Sequence, residues 1–212
     1  MATLTSKLSL RKPTPNSERD WGYRLNESMD ILDDALLTTS VSGVGEVYVY
    51  DEGDGSVTIS GITEQYLHMR DEKTQGTDGG NFNSGSWIDR DLNTEATNTI
   101  EGASLNTGTG VFTLPSGTYR ISAAAPAYSV ANHKAALFNT SDSTFDILGT
   151  SEYSASATAS TDSVVKGQFA ISSSKNFKIQ HRCTSSQAGN GFGVAASLGT
   201  EVYTEVEIWK VL

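Results

Sequence analysis

The sequence predicts a mainly β protein, an antiparallel two-layer sandwich with one amphipathic helix near its N-terminus. Three observations predict it. From Glu46 onward apolar and polar residues alternate with period two in short runs, as half-buried strands do. Gly, Asn, Asp and Ser punctuate the gaps at regular intervals, as a sandwich or barrel requires. Only "WGYRLNESMDILDDALL", residues 21–37, places its apolar residues at helical spacing.

Composition narrows the partners. A chain of 212 residues has room for one sizeable domain plus an appendage, or for two small domains. Acidic residues outnumber basic ones 25 to 15, a net charge of −10, which repels phosphate backbones and argues against nucleic-acid binding. The same sign gives no steering toward anionic membranes or lipopolysaccharide. Contact with such surfaces must be short-range or bridged by cations. The single cysteine, Cys183, allows no disulfide within the chain. The first sixteen residues have no apolar signal-peptide region, and no stretch is apolar enough to span a bilayer as a helix. The expectation is synthesis in a cytoplasm, without signal-peptide export or membrane insertion.

The elements follow in order. Residues 1–16 read as extended, with Pro13 and Pro15 fixing their own φ and pushing Lys12 and Thr14 toward β or polyproline geometry. Ser17 is the helix N-cap, with Glu18 and Asp20 suiting the positive helix end. Trp21, Leu25, Met29, Leu32 and Leu36 form one face, and Asp30, Asp33 and Asp34 lie away from most of it. A helix this short is marginal alone, so its stripe must be buried on something. "GEVYVYDEGDGSVTISG" then reads as a hairpin turning at Asp51–Gly55. Strands are expected next at "YLHMRDEK", "SWIDRDL", "TNTIEGASL", "GVFTLPSGTYRISAAAPAY", "HKAALFN", "FDILGTSEYSASA", "SVVKGQFAIS", "NFKIQHRC" and "EVYTEVEIWKVL". Alternation sets Phe177, Ile179, His181 and Cys183 on one face, against Lys178, Gln180 and Arg182. In the last strand it sets Val202, Thr204, Val206 and Ile208 against Tyr203, Glu205, Glu207 and Trp209.

Two stretches carry resemblances. "GVFTLPSGTYRISAAAPAY", followed in order by "HKAALFN", "SVVKGQFAI", "FKIQHRC" and "EVEIWKVL", resembles the jelly roll of the tumour necrosis factor and C1q globular-head superfamily. "LRKPTPNSERDWGYRLNESMDILDDALL" is similar to the leading segment of tailed-phage tail-fibre proteins, and residues 64–212 to phage virion proteins. The resemblances imply a homotrimer and a virion location. Leu25, Met29, Leu32 and Leu36 then become the seam of a short parallel bundle, and the arm before it binds other virion proteins. The bland alternative is a helix folded back on its own sandwich.

Other sites were weighed against structural explanations. His181 and Cys183 share a face with Phe177 and Ile179, which makes them core residues rather than a metal or catalytic pair. "DEGDGS" and "GTDGG" lack the alternating carboxylates of a calcium loop, and turn chemistry explains their glycines. Glu205/Glu207 and Asp89/Asp91 are i, i+2 pairs of the kind found on solvated faces. No β-helix repeat, Gly-x-Ser-x-Gly elbow, P-loop or zinc spacing is present. The reading is a non-enzymatic fibre or spike with no cofactor or metal. Its divisions are an arm and helix at 1–40, a hairpin neck at 41–62 and a jelly-roll head at 63–212. Its partners are itself, other virion proteins and a host surface glycan or protein, with Trp87, Tyr128, Tyr153 and the "SSQAGNGFG" loop as candidate contacts. Alternatives are a capsid or neck decoration and a polysaccharide-degrading spike.

Overall fold

A computed structural model describes residues 46–51, 56–61, 64–155 and 159–211. The predicted helix, with Trp21, Leu25, Met29, Leu32 and Leu36, lies outside the described residues, as does the arm before it. The chain divides into two units, residues 1–63 and 64–212. In the first, β1 (Glu46–Asp51) pairs antiparallel with β2 (Ser56–Gly61), Asp51 opposite Ser56. This is the hairpin expected from the alternation around Asp-Glu-Gly-Asp-Gly.

Among the described residues the second unit holds twelve strands. They begin with β3 (Tyr66–Lys73), β4 (Ile88–Asp89), β5 (Thr94–Asn98), β6 (Ser104–Asn106), β7 (Val111–Leu114) and β8 (Gly117–Tyr128). The rest are β9 (Ala131–Asn139), β10 (Thr144–Leu148), β11 (Glu152–Ser154), β12 (Ser160–Ile171), β13 (Lys175–Cys183) and β14 (Glu201–Val211). A five-stranded sheet runs β12-β8-β14-β3-β5. A seven-stranded sheet runs β10-β9-β13-β7-β6, with β11 added on β9 and β4 on β13. All described pairings between strands are antiparallel. From β7 onward the chain crosses between sheets at nearly every step, only β9, β10 and β11 staying together. That is jelly-roll connectivity, as expected.

Alternation explains which side chains fill the gap between the sheets. Leu67 and Met69 of β3, Phe112 and Leu114 of β7, Ile121 of β8, Leu137 of β9, Val165 of β12, Phe177 and Ile179 of β13, and Val206 and Ile208 of β14 are buried in one core cluster. Phe177 stacks on Phe112 at 5.7 Å and meets Phe169 edge-on at 5.5 Å. Two expectations need correction. "TNTIEGASL" is not one strand: β5 and β6 belong to different sheets, joined by a turn in which Gly102 takes a φ of +79°. In β14 the register slips between Val202 and Glu205, so the bulge exposes Val202 and buries Tyr203 at 7% exposure.

One end of the sandwich closes around a buried cation. Arg90, immediately after β4, is 1% exposed. Its Nε donates to Thr204 Oγ1 at 2.6 Å, Nη1 to the Pro126 carbonyl at 3.1 Å, and Nη2 to the Phe192 carbonyl at 3.2 Å. The guanidinium lies 4.0 Å over the Phe192 ring. Burial lowers its pKa to about 10, so it stays charged at neutral pH, with the buried Asp71 carboxylate favouring that charge. Phe82, Ala127, Val130, Cys183 and Phe192 form a second apolar cluster at this end, with Ile88 packed against it. Arg90→Met keeps the bulk but strands three acceptors. The expected loss is about 3–5 kcal/mol, read from the urea midpoint.

Candidate functional site

The loops at the Arg90 end are the longest in the second unit, and the sequence folds them against each other. Gly79 N–H donates to the Gly193 carbonyl at 2.9 Å, Gly80 N–H to Gly189 at 3.0 Å, and Phe82 exchanges bonds with Gln187 at 2.9 and 3.0 Å. A Cβ on Gly191 would lie 2.6 Å from the Phe82 Cβ, which is why glycine stands there. The Glu201 carboxylate accepts from the backbone N–H groups of Gly76, Ala196 and Ser197 at 3.0, 2.9 and 2.7 Å. Those bonds hold its pKa below the usual carboxylate range. The "SSQAGNGFG" segment thus forms part of a braced platform, and its Phe192 is buried rather than offered to a ligand.

Inside this end, the structure joins two histidines that are far apart in sequence. His133 on β9 and His181 on β13 are 4% and 0% exposed, with Nδ1 of His133 3.0 Å from Nε2 of His181. His133 Nε2 is 2.8 Å from Thr161 Oγ1. His181 Nδ1 has no hydrogen-bond partner. The tautomer that costs least has His181 donating from Nε2 to His133, and His133 donating to Thr161. The unpartnered nitrogen is then a bare acceptor rather than a buried N–H. Burial lowers the His133 pKa to about 4 and puts that of His181 well below normal, with Arg90 adding repulsion to both. Both are neutral at pH 7. Cys183, 2% exposed, has its thiol pushed up to about 11 by burial, which makes it a poor nucleophile. His181 and Cys183 are core residues, as their strand phase indicated.

The carboxylate pairs are held by neighbours. On the outer face of the five-stranded sheet Glu205 Oε1 lies 2.8 Å from His68 Nε2, and Glu207 Oε1 accepts from the Tyr66 hydroxyl at 2.8 Å. Asp89 pairs with Lys178 and accepts from Gln180 at 2.8 Å. Asp91 lies 3.4 Å from Lys73. An open hollow of about 410 Å³ beside the β9–β10 turn contains Asp142 and Asp146. There Asn139 donates to both carboxylates at 3.1 and 3.2 Å, and Lys175 pairs with Asp142 at 2.6 Å. Among the described residues no group of three or more His, Cys, Asp or Glu side chains is placed to hold a metal.

Uncovered aromatic surface lies instead on the outer face of the seven-stranded sheet. Trp87, half-buried, packs on Phe145 at 4.6 Å, and Phe145 packs on Phe138 at 5.0 Å. Phe145 remains 40% exposed and Leu148 58%. Tyr153 on β11, 60% exposed, stands opposite Asn132 on the same sheet. Trp87 and Tyr153 therefore share a sheet, while Tyr128 does not join them. It ends β8 in the other sheet, is half-buried, and gives its N–H to the Gly191 carbonyl at 3.0 Å. Phe138 and Phe145 were not anticipated as surface groups. The signal was available, since "ALF" in β9 breaks alternation and only one of Leu137 and Phe138 can face inward.

Histidine burial sets a pH dependence. An unfolded histidine titrates near 6.5, whereas folded His133 titrates near 4. Between those values the unfolded chain binds more protons, so the stability from the neutral pair is complete above pH 6.5 and declines as pH falls toward 4. Asp71, whose pKa is raised by burial, titrates in the opposite sense, so a variant is the right comparison. The wild-type urea midpoint is expected to fall from pH 7 to pH 5 more steeply than that of His133→Gln. Equal slopes would show that the pair does not couple to folding.

No described protein family matches the sequence, and no curated protein does. Among solved structures the chain is similar to murine APRIL at pH 8.0, with a TM-score of 0.44 and 8% identity over 70% of this chain and 100% of that one. It is also similar to the globular domain of zebrafish complement 1qA protein, with a TM-score of 0.44 and 16% identity over 71% and 98%. The jelly-roll assignment is carried by the strand order.

Proposed function

We propose that this chain is a non-catalytic, trimeric recognition head of a phage fibre or spike. On this reading its N-terminal segment attaches it to the virion and its sandwich contacts the host surface. The observation that carries the reading is where the uncovered apolar side chains lie. They include Phe145, Leu148 and Tyr153 on the outer face and edge of the seven-stranded sheet, with Val194 and Leu198 in the loop after β13 and Val202 and Val211 on β14, while the buried histidines and thiol are sealed from solvent. A surface of that kind suits binding rather than bond cleavage.

Self-association is supported by the same edge. β10 and β12 are the outer strands of their sheets, and Ile147, Phe169 and Ile171 are only partly covered there. Thr150 caps β12 at Val164, through bonds of 2.9 Å in each direction. The strand beyond, from Lys166 to Ile171, is paired only with β8, leaving an edge of a kind that proteins commonly cover. The virion part of the reading rests on the N-terminal sequence "LRKPTPNSERDWGYRLNESMDILDDALL".

Competition with particles tests the proposal. Purified full-length protein, incubated with host cells beforehand, is expected to reduce particle adsorption, and a chain lacking residues 1–40 is expected not to incorporate into particles. Undiminished adsorption at saturating protein would contradict host recognition and favour a capsid or neck decoration. Incorporation of the truncated chain would contradict attachment through the arm.

A further inference from the structure

The seven-stranded sheet carries two cations that its own fold leaves unmatched. Arg182 on β13 and Lys134 on β9 stand directly opposite in the antiparallel register, so both side chains emerge on the outer face, away from His181 and His133. Like charges in that relation repel. Three lysines have carboxylate neighbours, Lys178 with Asp89, Lys175 with Asp142 and Lys73 3.1 Å from Asp71. Lys166, Lys210 and Arg120 on the other sheet stand without one among the described residues, but not directly opposite another cation. Among the described residues neither Lys134 nor Arg182 has a carboxylate within ion-pair distance. In a chain with 25 acidic and 15 basic residues, an adjacent pair of free cations calls for an anion from elsewhere.

One exposed aromatic ring lies beside the pair. On one side Tyr153 and Asn132 are opposite each other, two residues along β9 from Lys134 and on the same face. On the other side Asp89 pairs with Gln180 and Ile88 with His181, while Trp87, just before β4, turns its ring onto Phe145 of β10 at 4.6 Å. β11, β9 and β13 are successive neighbours. Two steps of about 4.8 Å make the row about 10 Å wide, suited to one or two sugar rings. A guanidinium grips a carboxylate or sulfate through paired N–H groups. Flat aromatic faces take the C–H face of a sugar ring, and the exposed Asn132 amide serves its hydroxyls.

We infer that this row binds an acidic saccharide, a sugar bearing a carboxylate or a sulfate, with its anion between Lys134 and Arg182. The inference rests on the recognition-head reading and names the ligand class for it. Attraction is short-range, because the net charge of −10 repels extended polyanions at a distance.

The test is calorimetric titration of the full-length protein with uronic-acid, sialylated and sulfated oligosaccharides, each beside its uncharged parent, and with a single-stranded oligonucleotide. One acidic series is expected to bind about ten-fold more tightly than its parent or better, and which series does so separates carboxylate from sulfate. The double variant K134Q/R182Q is expected to lose that preference while melting no lower than wild type, since it removes a repulsion. Y153A trims a largely exposed ring and is expected to weaken acidic and neutral sugars alike. Equal binding of acidic and uncharged sugars, unchanged binding by the double variant, or equally tight oligonucleotide binding would each overturn the inference. If the double variant still blocks particle adsorption, recognition stands and this site falls. If the wild type neither blocks adsorption nor binds a sugar, both fall.

Discussion

A guanidinium buried at the end of a β-sandwich must be satisfied by what surrounds it, and that constraint organises the loop end of this protein. A bare buried charge is worth several kcal/mol of destabilisation. Arg90 avoids that penalty with carbonyls from Pro126 and Phe192, the Thr204 hydroxyl and the Phe192 ring. Those partners come from β8, β14 and the loop after β13, so satisfying one side chain joins both sheets to that loop. The loop ladder and the Glu201 bonds follow from the same requirement, since each fixes the backbone that carries the Phe192 carbonyl. The charge also bears on its neighbours: with Arg90 nearby and water excluded, the histidine pair stays neutral.

A closed interior moves function outward. The two outer faces differ. The five-stranded face carries matched polar groups, with Tyr66 on Glu207 and His68 beside Glu205. The seven-stranded face carries stacked rings and two cations set directly opposite each other. Between them runs the β10/β12 edge, where side chains at the rim of the core remain partly open. Short-range contacts made by rings and paired donors suit an acidic protein that gains nothing from long-range attraction. Several copies in one assembly would let weak single contacts act together.

Much of the fold was legible because burial in a sandwich has period two. Phe177, Ile179, His181 and Cys183 shared an inward phase in sequence and share it in space. Alternation failed where the backbone broke step, at the bulge before Glu205 and at the turn dividing β5 from β6. Neither leaves a mark that a periodicity reading registers. The site was less legible for a different reason. Pairing between distant strands decides whether His133 meets His181, or whether Arg182 meets Lys134, and a single sequence does not state that register. Tyr153 is an exposed aromatic, but Trp87 and Tyr128, both half-buried, could not be separated from it by sequence. Nothing in "SWIDRDL" marks Arg90 as the residue that is buried.

The central claim is that the sandwich edge is covered by other copies of the same chain. Light scattering on the full-length protein across a dilution series tests it most directly. The account predicts a stable mass of about three times 22.6 kDa, holding as the protein is diluted to micromolar levels and below. A monomer of 22.6 kDa at every concentration would contradict it and leave the edge uncovered.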